Sequence, residues 1–316
     1  MSSLGLFVLG LFLLMLGGDS ALRAVSGLAQ KFGLSPFRTG LLLMAAASSL
    51  PVLALAAYAQ AAGQPALALG SAIGASVASL GLCLAVSALV APLAAAMRLF
   101  PMQWVCVLMA CGLLLLFASD GRIAIWEGGV LLAGFVLTLS LVFQQGSRED
   151  SAVQKEVASF AVTSTMLVQN LLRLAFAAGL LYLGSRFLVG AAPEVGASVG
   201  LDPMLLGLSL AAFAGALPQL ASVLMSSLNG LGNVVVGQAL GICLFNLLFV
   251  VGALAVQGGI AAPAGIAGFA PVAVMAFALA LFPLSRGRLL LSRRLGTGLL
   301  MAFGLWLVVL IVFASR

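Results

Sequence analysis

The chain has 316 residues, 63% of them hydrophobic and 7% charged, with mean hydropathy +1.26 and a formal charge of +6. A soluble domain carries about a quarter charged residues, so this composition excludes an ordinary water-soluble fold. Continuous apolar runs of about 20 residues point to helices that cross a bilayer, and their lack of alternation favours helical spans over a membrane barrel.

The apolar segments predict ten helices, at about 4–30, 37–61, 66–91, 99–118, 123–144, 160–190, 204–229, 233–256, 262–284 and 295–314. The first, MSSLGLFVLGLFLLMLGG, lacks a basic leader and reads as a span, not a cleaved signal. One clearly polar internal loop, QQGSREDSAVQKEVAS (Gln144 to Ser159), divides the chain near its middle. The expected organisation is a first five-helix repeat over 1–144, a cytoplasmic linker over 145–159 and a second five-helix repeat over 160–316.

The two halves resemble each other in sequence. Shifted by 167 residues, FGLSPFRTGLLLMAAASSLPVLA falls on VGLDPMLLGLSLAAFAGALPQLA without a gap. Gly33, Pro36, Gly40 and Pro51 meet Gly200, Pro203, Gly207 and Pro218; Gly63, Gly70 and Gly74 meet Gly230, Gly237 and Gly241. Five spans is an odd number, so the second half enters the membrane from the opposite side. The fold class is therefore an all-α polytopic membrane protein of two inverted repeats, an arrangement frequent in secondary transporters.

Charge sets the expected orientation. Lys31, Arg38, Arg98, Arg148, Lys155, Arg286, Arg288, Arg293 and Arg294 fall on one side; Arg122, Arg186 and Arg316 fall on the other. The positive-inside rule makes the first side cytoplasmic, with both termini outside and a bacterial-type inner membrane as the setting. Arg23 and Arg173 lie within spans and are expected to snorkel or pair near an interface. The cations form no long tract, so the partners expected are the bilayer and a small cation or solute, with no nucleic acid.

Several chemistries are disfavoured by what the chain lacks. There is no histidine, and the four cysteines (Cys83, Cys106, Cys111, Cys243) have no CxxC spacing. They read as small buried hydrophobes. No zinc centre, His-based triad or cofactor is expected, and no nucleophile constellation appears at membrane depth, so an enzyme is not expected.

Pro51 and Pro218 occupy matching places in spans two and seven. Each removes a backbone donor and clashes with the carbonyl one turn earlier. In a transporter, helices broken this way turn carbonyl oxygens toward a site near the midplane. The small residues before each proline, Ala45 to Ser49 and Ala211 to Ala216, allow close helix approach.

Around these prolines the chain resembles the sodium/calcium exchanger (cation/calcium antiporter) superfamily. That family carries a G-T-S-x-P-E motif on one helix of each repeat and a G-N-x-x-G-S-N-x-x-N type motif on the next. Here the first motif reads Ala47-Ser48-Ser49-Leu50-Pro51-Val52 and Ala214-Gly215-Ala216-Leu217-Pro218-Gln219. The second reads Gly70-Ser71-Ala72-Ile73-Gly74-Ala75-Ser76 with Ser79 beyond, and Gly237-Gln238-Ala239-Leu240-Gly241-Ile242-Cys243 with Asn246 beyond. The segment from Leu16 to Pro36 also resembles the family's first-span ending. The resemblance implies ten spans, outside termini and cation antiport.

Where the family has glutamate after each proline, this chain has Val52 and Gln219. None of the eight acids (Asp19, Asp120, Glu127, Glu149, Asp150, Glu156, Glu194, Asp202) lies in the middle of spans two, three, seven or eight. Calcium takes 6–8 oxygen ligands, usually several of them carboxylates. The candidate site is therefore a neutral polar set: Ser48, Ser49, Ser71, Ser76, Ser79, Ser209, Gln219, Gln238 and Asn246, with Pro51 and Pro218 as helix breaks. Such a set suits a monovalent cation or a neutral solute better than calcium. The alternative is a non-transporting scaffold or regulatory relative that keeps the fold; Val52, which coordinates nothing, favours it.

Overall fold

The computed structural model describes residues 3–46, 49–161, 163–262 and 266–314. The helices are α1 (Ser3–Lys31), α2 (Pro36–Ala45), α3 (Leu50–Ala61), α4 (Pro65–Val90), α5 (Phe100–Phe117) and α6 (Ile125–Gly146). They continue with α7 (Ser151–Phe160), α8 (Leu167–Val199), α9 (Pro203–Leu228), α10 (Gly232–Ala255), α11 (Ile266–Ala280) and α12 (Arg293–Ala314). With α2 and α3 as two halves of one span and α7 as a short connector, this gives the ten membrane helices expected.

The repeat is visible in the turns. Ser35 caps α2, its Oγ accepting from Arg38 N at 3.3 Å, and Pro36 follows at the first helical position. One repeat later Asp202 caps α9, accepting from Leu205 N at 2.9 Å, and Pro203 follows. A side-chain acceptor then proline is the chemistry that starts a helix. Gly33 and Gly200, which close the preceding helices, have φ of +95° and +69°, the left-handed turn that suits glycine.

Four short strands tie the halves together. β1 (Leu93–Ala96) pairs antiparallel with β4 (Arg288–Leu291), and β2 (Arg122–Ile123) pairs antiparallel with β3 (Ile260–Ala261). β1 follows α4 and β2 follows α5, so the two pairs lie at opposite ends of the bundle. The β1–β4 end also gathers Arg98, paired with Asp150 at 3.3 Å, and the buried Glu149, which accepts from Leu99 N at 2.9 Å. Glu156 of α7 accepts from both the backbone and side chain of Asn233. The loops predicted to share the cation-rich side thus sit together.

α4 and α10 form the centre. Buried fractions are 78% and 94% for their most apolar stretches, against 33% for α1 and 28% for α12. Glycine lets backbones meet there: a Cβ on Gly74 would lie 2.6 Å from Leu208 O, and one on Gly207 would lie 2.6 Å from Leu67 O.

Three expectations need correction. Residues 151–160 are a helix, docked on α2 and α10, and not open loop. Its amphipathic pattern is hidden in a low-hydropathy segment whose one acid, Glu156, accepts from Asn233. The sixth span runs Leu167–Val199, later than the predicted 160–190. The 167-residue shift applied to 4–30 gives 171–197, so the repeat was a better guide than local hydropathy, which Arg186 and Glu194 depress. Arg186 consequently lies within α8 and not in a loop, while Arg316 is outside the described residues.

Candidate functional site

The two prolines behave differently, although the repeat relates them. Pro51 sits in the first turn of α3, which starts at Leu50, whereas α2 ends at Ala45. There its missing N–H costs nothing, because the first donors of a helix have no partner anyway. Pro218 lies inside α9, which runs on through it. The expected break at Pro218 is therefore corrected to an interruption borne within a continuous helix, of the kind membrane helices tolerate. The departure from regular α-geometry in α9 comes earlier, as a π-helical turn at Gly207–Ala211.

α1 crosses both prolines at one point. A Cβ on Gly18 would stand 2.6 Å from Pro51 Cγ and 3.1 Å from Pro218 Cγ. The two repeats therefore meet at a residue that must lack a side chain.

Beyond the prolines, α4 and α10 each carry a π-helical turn, at Ser79–Cys83 and at Phe245–Val250. Such bulges re-aim side chains and recur at functional sites. Ser79 and Asn246 occupy equivalent places in them, 167 residues apart. Ser79 is fully buried; Gln219 Nε2 donates to its Oγ at 2.6 Å, and that Oγ lies 3.3 Å from Ala239 O, to which it donates.

The equivalent pair in the other half would be Val52 and Asn246. Val52 is buried and offers no hydrogen bond. Asn246 is 0% exposed, and among the described residues neither its Nδ2 nor its Oδ1 has a partner. The carbonyl equivalent to that of Ala239, Ala72 O, instead accepts from Ser76 Oγ at 3.1 Å. Ser49 Oγ is likewise buried and unpartnered. Ser49 precedes α3, and α3 packs on the π-helical turn that carries Asn246.

The remaining predicted residues divide. Ser71 and Ser209 donate to carbonyls of their own helices, Ala68 O at 2.8 Å and Leu205 O at 2.6 Å, as Ser76 does. Their protons are held by backbone carbonyls, while the oxygen lone pairs stay available as acceptors. Gln238 is fully buried and donates to Ser222 Oγ at 3.0 Å. Ser76 O accepts from the thiol of Cys243, its own repeat equivalent, at 3.5 Å. Ser48 lies outside the described residues.

A cavity of about 650 Å³ lies between α1 and α9; of the predicted polar set, Gln219 lines it. Gln219, Ser222 and Ser226 of α9 line one wall; Asp19, Arg23 and Ser26 of α1 line the other. Both sets follow the three-to-four-residue spacing of one helix face. The proline motifs do not reach Asp19 and Arg23, because the prolines that mark the site lie on other spans. The signal was present: an acid, a base and a serine at i, i+4 and i+7 in an otherwise apolar helix. Their side chains pair at 2.9 Å and remain about 60% exposed, so the one carboxylate on the wall arrives with its own cation.

The other acids are engaged elsewhere. Glu127 accepts from Ala124 N, Asp120 from Arg122 N, and Glu194 from the Ser3 hydroxyl. Among the described residues no group of three or more His, Cys, Asp or Glu side chains could hold a metal ion.

Comparison with known proteins agrees with this architecture. The family described as "Sodium/calcium exchanger protein" matches over residues 2–144 and again over 170–312, one match per repeat. "Putative antiporter CaxA" of Alkalimonas amylolytica is 32% identical over 294 residues, covering 92% of this chain and 90% of that protein. "Uncharacterized membrane protein MJ0091" of Methanocaldococcus jannaschii is 30% identical over 257 residues, 80% of each. Among solved structures, the sodium-calcium exchanger NCX_Mj soaked with Na+ and Sr2+ superimposes with a TM-score of 0.67 at 23% identity, covering 96% of this chain and 97% of that one.

Proposed function

Since this chain belongs to the sodium/calcium exchanger family, we propose that it is an antiporter-type carrier whose central site handles a monovalent cation and not calcium. The observation that carries this reading is the pair of unpartnered polar groups, Asn246 and Ser49, at the place where the repeat leaves out a carboxylate. A buried polar atom without a partner costs about 1–3 kcal/mol. A small cation bound by Asn246 Oδ1, Ser49 Oγ and backbone carbonyls would recover that cost without asking the protein to bury a net negative charge.

Calcium is disfavoured on the same arithmetic. Its dehydration calls for several anionic oxygens, and the polar set here is neutral except for Asp19, which Arg23 neutralises. By the positive-inside rule the β1–β4 end faces the cytoplasm, which puts both termini outside and the cavity wall at Asn229 and Leu231 toward the inside. A bacterial-type inner membrane is the setting this reading supposes.

A second reading has its own support. Val52, buried at the place of a family ligand, suits a relative that keeps the fold without turnover. Tracer sodium uptake into proteoliposomes separates the two. The carrier reading predicts uptake that Asn246→Leu abolishes while the protein stays folded. No movement of sodium, potassium or lithium in the wild type would support the scaffold.

A further inference from the structure

A second recess lies between α11 and α12, away from the cavity at Gln219. It encloses about 500 Å³, and its walls are apolar along most of their length, with Phe277, Leu299, Ala302 and Trp306 among the lining residues. Gly298 lines it too, and a Cβ built there meets no atom within 4 Å. The charged residue on its wall is Arg294, at the start of α12. From Leu295 to Val309 the groove follows α12 for about 21 Å at 1.5 Å per residue, against about 15 Å of hydrocarbon in one leaflet.

The second observation is charge. Arg286, Arg288 and Arg293 are exposed close by in sequence, between the 3₁₀ turn Phe282–Arg286 and the first turn of α12. The ion pairs among the described residues are Asp19–Arg23 and Asp150–Arg98, so none of these four guanidinium groups has a carboxylate partner. Arg294 thus stands on the wall of an apolar groove long enough for one leaflet, and three more uncompensated arginines lie within eight residues of it in the chain.

We propose that this groove binds an anionic phospholipid, one acyl chain lying along α11 and α12 and the phosphate resting on Arg294 and its neighbours. Basic residues at the cytoplasmic end of an interhelical groove suit this headgroup chemistry. A zwitterionic lipid would fill the groove and leave the cations uncompensated. A two-fold contact with a second copy would bring like clusters of arginines together, so the chain itself is a poor occupant.

The test uses the full chain in micelles doped with phosphatidylglycerol or phosphatidylcholine. Native mass spectrometry counts retained lipid on the wild type. Acyl-brominated versions of the same lipids report contact by quenching Trp306 in a Trp104→Phe/Trp126→Phe background. Phosphatidylglycerol is expected to be retained, and to quench, at about fivefold lower concentration for each guanidinium that holds it. Arg294→Gln should remove that preference, and Gly298→Phe, which fills the open space, should remove retention and quenching together. Equal behaviour of the two lipids would overturn the proposal, as would a dimer that shields Trp306 from both. Both readouts are independent of transport, so they stand or fall apart from the carrier reading.

Discussion

Gln219 Nε2 donates to Ser79 Oγ at 2.6 Å across the two repeats, and the equivalent positions, Val52 and Asn246, make no such bond. One half of a symmetric site is closed by an amide–hydroxyl pair while the other holds an amide with nothing to bond. The asymmetry follows from two sequence differences, valine against glutamine after the proline and serine against asparagine in the π-helical turn.

Asn246→Leu tests the cost of that orphaned amide. Leucine is close in shape and removes both unpartnered atoms. In detergent buffer free of sodium, potassium and lithium, the variant is expected to be more stable than wild type by about 1 kcal/mol, seen as a higher midpoint in thermal unfolding, and added sodium should narrow that gap. A clear loss of stability would mean that Asn246 has a partner, such as a resident ion or water.

Gly18→Val should be severe. Its side chain would collide with Pro51 and Pro218 together, and proline rings cannot swing aside. Overpacking of this kind costs about 1–3 kcal/mol, and it falls where α1 crosses both repeats. Lower thermal stability and lost transport are expected together; Gly18→Ala should show the same effects, more weakly.

Asp19→Asn separates entry from stability. The Asp19–Arg23 pair is exposed to the cavity, and such pairs contribute well under about 1 kcal/mol, so unfolding should barely shift. Cation entry should slow by about tenfold, since removing the carboxylate leaves Arg23 as an uncompensated positive charge on the cavity wall. Tracer uptake at low salt, where screening is weakest, is the measurement to use. An unchanged rate would remove α1 from the entry route.

Much of this molecule could be read from the chain. The inverted repeat was legible because glycine and proline mark turns that both halves must make, at Gly33 and Gly200, Pro36 and Pro203. Both prolines were visible, but not that one starts a helix while the other lies inside one. That outcome depends on packing against α1 and α4, which the local motif does not encode. The pairing of Gln219 with Ser79 was hidden as well. It joins residues 140 positions apart, and π-helical turns leave no distinctive residue pattern. Asp19 and Arg23 were in plain view; what was missing was the knowledge that α1 faces α9 across a cavity.

Glu156→Ala probes the end that joins the halves. Glu156 accepts both the backbone and side-chain donors of Asn233, at the start of α10. Losing the acceptor for two partly buried donors should cost about 1–3 kcal/mol. Glu156→Gln, which keeps one acceptor oxygen, should recover part of it. Thermal unfolding of the two variants checks the order.

Radioactive calcium flux into proteoliposomes, wild type beside Val52→Glu/Gln219→Glu, reaches the heart of the account. It predicts little calcium movement by the wild type and a clear gain when carboxylates are restored after both prolines. Robust calcium exchange by the wild type would contradict it.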